Sequence, residues 1–545
     1  MKPDVHRPDS RWYTNRFVMG CVVGAAALFI YIPTWSYPFV YDDVPIVLRN
    51  PPVVGDGPWY TPWTSPYWPS TSPGDPLYRP VTLASLRLNY AVWGTDPMGY
   101  RVTAGVLHAA VAVLTSLLAS AAWRRPVAGW AGGLLFAVHP VHAETLGMVV
   151  GRSELLAALL VTILLWRHLS FLQGRRSMSL VHHLVIAVVF YLALGSKEHA
   201  LVAVVGVAVL DFAYRSNGKL VSWRERFGRL AASHYLGLIL ALTAYLAQRH
   251  LVLGWQSRLN PEMVDPFDNP LIRASLTERL LTPPALLSKA TELCLLPQRL
   301  SPVWSLGGFE LPTNVLRWDV VAGTVLAACL VVIGVLGIRH RWRIGWVAPC
   351  LAASLVLPCH FVPAANWLFA ERWLYLPTVF LAVAVGGAAA IRPRLGLTVA
   401  VVIALLLTPV TLRYQQAWRS NDAIFSTTLQ HHPRSYHALL GVASSNKQKG
   451  ELARIPELID RMMALYPDSP RAWYYHVWLL AERNRPAELL ESIERYQSLN
   501  RWIPLSGELS QLRDRARLRL EGLKETATRT PDPAVAAGPG DAGDR

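Results

Sequence analysis

The chain has 545 residues, of which 52% are hydrophobic and only 16% charged, and its formal charge is +16. The apolar residues come in runs of about twenty rather than at amphipathic spacing, which excludes a water-soluble globular protein and predicts an all-α polytopic membrane protein. The basic residues fall in short clusters between those runs, where sorting of Lys and Arg to the cytoplasmic face accounts for them, so no nucleic-acid partner is implied.

Residues 1–16 hold Lys2, Arg7, Arg11 and Arg16 and are expected to be cytoplasmic. The first apolar segment, Phe17 to Tyr37, is long enough to cross a membrane and is read as retained rather than cleaved. Further spans are predicted over Val102 to Ala122, Val127 to Gly147, Leu155 to Phe171, Leu180 to Leu194, Ala200 to Tyr214 and Leu230 to Leu251. Later ones cover Asp319 to Ile338, Gly345 to Pro363, Trp373 to Ile391 and Leu395 to Leu412. Counting eleven crossings from a cytoplasmic start puts the clusters at 124–125, 175–176, 215–229, 339–343 and 392–394 on one side. Leu280 to Leu296, which contains Pro283 and Pro284, is expected to re-enter or to lie at the interface, since a further crossing would move the Arg339 cluster outside. A membrane domain over 17–413, with a long first outer loop at 38–101, then leaves the rest of the chain outside the cytoplasm. The placement expected is a bacterial inner (plasma) membrane.

In the segment 414–524, Pro433 and Pro467 stand 34 positions apart, as do Gly450 and Asn484, which is the tetratricopeptide period. A small helical repeat domain is predicted there, with helix pairs beginning near Ser435 and Ser469 and apolar faces from Ala472, Trp473, Leu479 and Leu480. Residues 525–545 are rich in Pro, Gly, Ala and Asp and are read as a disordered tail. The cysteines (Cys21, Cys294, Cys329, Cys350 and Cys359) lie in or beside apolar stretches without metal-ligand spacing and read as small hydrophobes.

The polar chemistry gathers in the outer loops. Asp42 and Asp43 directly follow the first span, and loop one adds Asn50, Arg79, Arg87 and Asn89, with Leu83, Leu86 and Tyr90 at helical spacing and Arg87 and Asn89 off that face. Trp59, Trp63 and Trp68 fit the aromatic belt of a membrane interface. A carboxylate in this place acts as a general base towards a hydroxyl or as a metal ligand, and adjacent side chains diverge, so one of the pair faces a given site. Arg152, Lys197 and Arg372 stand near outer boundaries as candidate phosphate partners, because guanidinium and ammonium groups hold phosphate oxygens. Glu154 lies beside Arg152, Glu371 beside Arg372 with Tyr375 one turn further on, and Lys197 and Glu198 read as a local ion pair. His139, His142 and Glu144 are three possible ligands within six residues, but Pro140 breaks the helical face that a metal site would need.

The order of motifs carries a resemblance. Phe39-Val40-Tyr41-Asp42-Asp43 with Asn50-Pro51, Tyr78-Arg79-Pro80, Asn89-Tyr90, Gly99-Tyr100 and His108 come first. His139-Pro140-Val141-His142-Ala143-Glu144, Gly151 to Leu156, Ser196-Lys197-Glu198 and Ala370 to Pro377 follow. Over roughly residues 15 to 500 this resembles the transmembrane-and-tetratricopeptide-repeat proteins of the GT-C superfamily of lipid-linked glycosyltransferases. The resemblance implies a fold of about eleven transmembrane helices and an inverting transfer of a sugar, typically mannose, from a polyprenyl-phosphate donor to a hydroxyl outside the cytoplasm, with a protein Ser or Thr as acceptor. It implies that Asp42 or Asp43 is the base, with Asp42 favoured as the first acidic position. Arg152, Arg372 and Lys197 would hold the donor phosphate, supported by Arg79, His139, His142, Glu144, Glu154, Glu371 and Tyr375. A divalent cation held between the aspartates and the donor phosphate is compatible with this scheme, and the repeats would hold a polypeptide acceptor or a partner.

Two other classes compete. A multi-pass transporter would place charges along an ion pathway, but the acidic residues cluster on one side and no pair of broken helices recurs in two halves. A membrane-anchored repeat scaffold without catalysis would leave the polar concentration in loop one unexplained.

Overall fold

The computed structural model describes residues 15–69, 76–174, 180–214, 235–254, 265–340, 342–362, 367–451, 455–499 and 505–529. It divides into two compact units, Met1–Ser435 and Tyr436–Arg545. The described residues are helices and turns, with isolated bridges such as Trp304 to Phe369 in place of strands.

The helices of the first unit are α1 (Arg16–Phe29), α2 (Pro80–Trp93), α3 (Pro97–Trp123), α4 (Pro126–Ala137), α5 (Arg152–Leu172), α6 (Leu180–Ser196), α7 (Val202–Tyr214) and α8 (Leu236–Leu253). They continue with α9 (Leu276–Leu295), α10 (Trp318–Arg339), α11 (Val347–Leu355), α12 (Tyr375–Ala389), α13 (Pro393–Gln415) and α14 (Asn421–His431). Local chemistry sets their starts. Proline opens α2, α3, α4 and α13, where its missing N–H costs nothing and its fixed φ suits the first turn. The Asn15 and Asp96 side chains accept from the first amides of α1 and α3, and Ser275 with Glu278 forms a capping box on α9.

Among the described residues, six helices are long and apolar enough to cross a membrane: Pro97–Trp123, Val149–Leu172, Leu236–Leu253, Trp318–Arg339, Glu371–Ala389 and Pro393–Trp418. The protein is an integral membrane protein. α3 is central and packs on α1, α4 and α5, while α12 lies along α4. α10 and α13 leave Val325, Val331, Val332, Leu405 and Leu406 exposed, an apolar surface matched to hydrocarbon rather than to water. α4 and α12 approach so closely that a Cβ on Gly132 would stand 2.5 Å from the Ala382 carbonyl oxygen, and one on Gly386 would stand 2.3 Å from that of Ala128. Only glycine permits that separation.

Three predicted spans are shorter than expected, among them the one over 345–363, whose helix α11 ends at Leu355. α1 ends at Phe29, and the chain continues through a turn at Ile32–Ser36. The span expected over 127–147 stops at Ala137, because Pro140 has no N–H to continue the ladder. The chain instead makes the turns Pro140–His142 and Val149–Gly151 around the short helix Ala143–Gly147 before α5 begins at Arg152. This irregular stretch, buried throughout, carries the motif residues into the protein interior.

The division between units falls after Ser435 rather than at 414. Residues 414–435 belong to the first unit, where Asn421 on α14 accepts from the Tyr41 amide at 2.9 Å and Phe425 packs edge-on against Tyr41. The second unit holds α15 (Tyr436–Lys449), α16 (Ile455–Leu465), α17 (Pro470–Glu482), α18 (Pro486–Leu499) and α19 (Gly507–Arg529). Val477, Leu480, Leu489, Ile493, Leu509 and Ala516 form one core there. Most of the expected tail lies outside the described residues; its first residues extend α19 to Arg529.

Candidate active site

The aspartate pair is set up by an arginine that the sequence reading passed over. Arg101, on the first turn of α3 and 2% exposed, donates to the carbonyls of Tyr37 at 2.8 Å, Pro38 at 2.5 Å and Gly147 at 2.9 Å. It ties the start of loop one to the stretch after Pro140. Tyr41 then takes φ = 52°, a left-handed conformation uncommon for a bulky residue, and turns the chain so that its two successors diverge.

Asp43 points inward. It is fully buried, and its two oxygens accept from the amides of Val150 at 3.0 Å and Val40 at 3.2 Å. Burial is the largest influence on its carboxyl and raises the pKa to about 6, against the pull of Arg101 and of the amides. Asp42 is half-buried and lies within electrostatic reach of Arg372.

Three ion pairs join the other charged motif residues. Glu144 accepts from the main-chain N–H of Arg372 at 2.8 Å and from its guanidinium at 2.5 Å. Lys197 bonds Glu154, whose other oxygen lies 3.4 Å from His199 Nδ1. Arg79 donates to Glu198 at 2.9 and 3.2 Å and lies over the ring of Tyr67, 5.1 Å from its centre. Tyr67 is in turn within reach of the charges of Asp42, Asp43, Arg79 and Arg372, and Lys197 within reach of Arg79 and Arg372. These groups therefore form one cluster within electrostatic reach of one another. Burial lowers the Lys197 pKa to about 8 despite Glu154, and raises that of Glu144 despite Arg372. For Glu198 burial opposes the charge but Arg79 outweighs it, and the carboxyl is held below its ordinary range.

The pairing differs from that expected of sequence neighbours. Lys197 pairs with Glu154 rather than Glu198, and Arg372 with Glu144 rather than Glu371. Glu371 turns away and accepts from Ser301 N at 2.6 Å, Tyr414 Oη at 2.9 Å and Trp304 Nε1 at 3.2 Å. Adjacent residues in a helical turn diverge by roughly 100–120°, so partners come from other elements. Arg152 is fully enclosed: its guanidinium bonds Asn89 and the Tyr100 carbonyl, 2.9 Å away, and reaches the Ser85 carbonyl at 3.3 Å. Asn89 is thus on the buried side of α2, not off it.

His139 bonds the Cys294 carbonyl at 2.8 Å, His142 the Thr378 hydroxyl at 2.8 Å, and Tyr375 the ring of His108 at 2.7 Å. Burial lowers His139 to about 4 and His142 well below its ordinary value, so both imidazoles are neutral props. Among the described residues no three His, Cys, Asp or Glu side chains converge as metal ligands, and both Asp43 oxygens already accept amides. The donor set does not fit a resident divalent cation.

No family model matches the chain. It is 27% identical over 481 residues to the human protein O-mannosyl-transferase TMTC4, covering 79% of this chain and 64% of that protein. It is 28% identical over 370 residues to the mouse protein O-mannosyl-transferase TMTC3, covering 63% and 39%. The chain thus spans less than two thirds of the length of either. Among solved structures, ArnT from Cupriavidus metallidurans bound to undecaprenyl phosphate matches with a TM-score of 0.38 and 14% identity, over 86% of this chain and 79% of that one. The resemblance carried by the ordered motifs is met in sequence: this chain is similar to the TMTC O-mannosyl-transferases over up to 79% of its length.

Proposed function

We propose that the protein is a GT-C-type glycosyltransferase that moves a sugar, mannose by its relatives' names, from a polyprenyl-phosphate donor to a protein Ser or Thr hydroxyl on the extracytoplasmic side. The observation that carries this reading is the half-buried Asp42 within electrostatic reach of Arg372, which belongs with Lys197 and Arg79 to a cluster of cations, each partnered by a carboxylate. Asp42 accepts the hydroxyl proton while that oxygen attacks the anomeric carbon from the face opposite the phosphate. The bond between that carbon and the phosphate oxygen breaks, the configuration inverts, and polyprenyl phosphate leaves with its charge met by the cations. No general acid is needed, because a phosphate leaves as an anion.

Asp43 and Arg101 shape the loop that presents Asp42, and Arg152 forms the wall behind it rather than the surface that meets the phosphate. The basic inner turns support a cytoplasmic N-terminus and an extracytoplasmic second unit, whose helix pairs would present the polypeptide acceptor. The named relatives support the protein acceptor.

The test is transfer from polyprenyl-phosphate mannose to a Ser/Thr peptide by the purified protein. Asp42→Asn is expected to lower kcat by about 10²–10⁴-fold, the range for loss of a general base, with little change in thermal stability. Asp43→Asn is expected to lower stability as well as activity. Transfer by Asp42→Asn at the wild-type rate would overturn the assignment.

A further inference from the structure

The end of α3 away from Arg101 borders a second polar cluster, which the proposed reaction does not use. A cavity of ≈ 480 Å³ there is lined by Arg16, Ser120, Arg124, Arg125, Pro126 and Gln173. Its size is that of a small-ligand site. Arg16 enters from the first turn of α1, and Arg124 and Arg125 from the link between α3 and α4; all three are exposed, and no carboxylate is among the described lining residues. Three guanidiniums around one cavity, with no carboxylate among the described lining residues, repel one another, and an anion between them removes that repulsion.

Two further features favour an anion, and a third calls for a hydrogen-bond donor beside it. The positive N-terminal ends of α1 and α4 lie at this cavity, whereas the Trp123 carbonyl at the C-terminal end of α3 is already bonded by Arg343. Arg124 adopts φ = 53°, a position that helix ends normally give to glycine, so the side chain is kept against a conformational penalty. Gln173 donates through Nε2 to the Ala121 carbonyl at 2.8 Å, which fixes its amide and leaves Oε1 buried and without a hydrogen-bond donor. A ligand for these groups carries an acidic phosphate for the arginines and a hydroxyl for Gln173.

We propose that this cavity binds the phosphoglycerol headgroup of an anionic membrane lipid, on the membrane face opposite the aspartate cluster. Free phosphate shares the acidic chemistry but lacks the hydroxyl and the chains. The outer face of α1 offers the chains an apolar path that begins beside Arg16, with Phe17 78% exposed and Val22 45% exposed. Basic pockets between transmembrane helices on the cytoplasmic side are a recurrent form of acidic-lipid site.

The experiment is native mass spectrometry of the full chain released from membranes of phosphatidylglycerol, phosphatidic acid or phosphatidylcholine, with inorganic phosphate as a separate competitor. The wild type is expected to retain phosphatidylglycerol over phosphatidylcholine. Arg124→Gln with Arg125→Gln should lower that retention about tenfold, as befits loss of charge-assisted hydrogen bonds. The matching lysine pair should keep most of it, and equal melting temperatures would show that the variants fold. Gln173→Leu should remove the preference for phosphatidylglycerol over phosphatidic acid. Arg392→Gln with Arg394→Gln, which removes the same charge from another basic turn, should retain lipid as the wild type does. Equal loss in that control, equal retention of phosphatidylcholine, or full displacement by millimolar phosphate would overturn the assignment.

Discussion

The Glu154–Lys197 and Glu144–Arg372 pairs of the first unit and the ion pairs of the second stand in opposite surroundings. In the first, Glu154 is unexposed and its partner Lys197 is 9% exposed, and Glu144 is 1% exposed against 19% for Arg372. In the second, Arg495 and Asp468 are 46% and 67% exposed, and Lys447 with Glu508 are 24% and 49%. Buried charges are costly to hold and more costly to strand, whereas exposed ones are screened by water and contribute little. A protein that keeps several buried pairs in one cluster, beside a partly accessible carboxylate, has accepted instability where charge is needed.

Breaking the buried pairs should therefore have the largest effect. Glu154→Gln leaves Lys197 without its carboxylate and should cost about 3–5 kcal/mol, measured as denaturant stability in detergent. Adding Lys197→Met should recover most of that loss, and a single variant as stable as the wild type would contradict the contrast. Asp43→Asn comes next, at about 1–3 kcal/mol, because one of its oxygens no longer accepts a buried amide. The same group sharpens the comparison through pH. Burial raises its carboxyl in the folded state from 3.8 to about 6, so the folded protein holds the proton more tightly than the unfolded chain. Its stabilising contribution is complete below 3.8 and is lost as pH rises through about 6. A stability profile of Asp43→Asn should lack the decline that the wild type shows in that window.

Smaller effects are expected in the second unit. Tyr436→Phe removes a buried 2.6 Å hydrogen bond to Ser469, and should cost about 1 kcal/mol. Arg495→Ala should cost less than about 1 kcal/mol and shift the melting curve little. A large loss there would mean that exposure does not separate the two units as described.

What could be read in the sequence follows the same division. Apolar runs located the helices but not their starts: the spans expected from Val102 and Leu395 begin at Pro97 and Pro393, while the 34-residue spacing anticipated the similar starts of α15 at Tyr436 and α17 at Pro470. The motif residues Asp42, Glu144, Lys197 and Arg372 were found because charge beside an apolar run needs a reason. Their pairing was not legible, since each partner comes from a distant element and neighbours along the chain point apart. Arg101 and Tyr67 were missed for a related reason. Arg101 directly precedes the run expected from Val102 and bonds carbonyls, which leave no mark on sequence pattern, and nothing in the pattern sets Tyr67 apart from its aromatic neighbours. A charged residue at the edge of that run, beside Gly99 and Tyr100, was the available signal.

The seam between α4 and α12 has a further consequence. Glu144 follows α4 by a few residues and Arg372 immediately precedes α12, so the backbones that meet at Gly132 and Gly386 are also those that carry the two members of this pair. The glycines act as a ruler set deep in the bilayer. Adding a single methyl group at either would pry the helices apart, and the displacement would be read out at a charged contact many residues away. In a saturation scan, these two positions should behave like active-site residues although neither touches one.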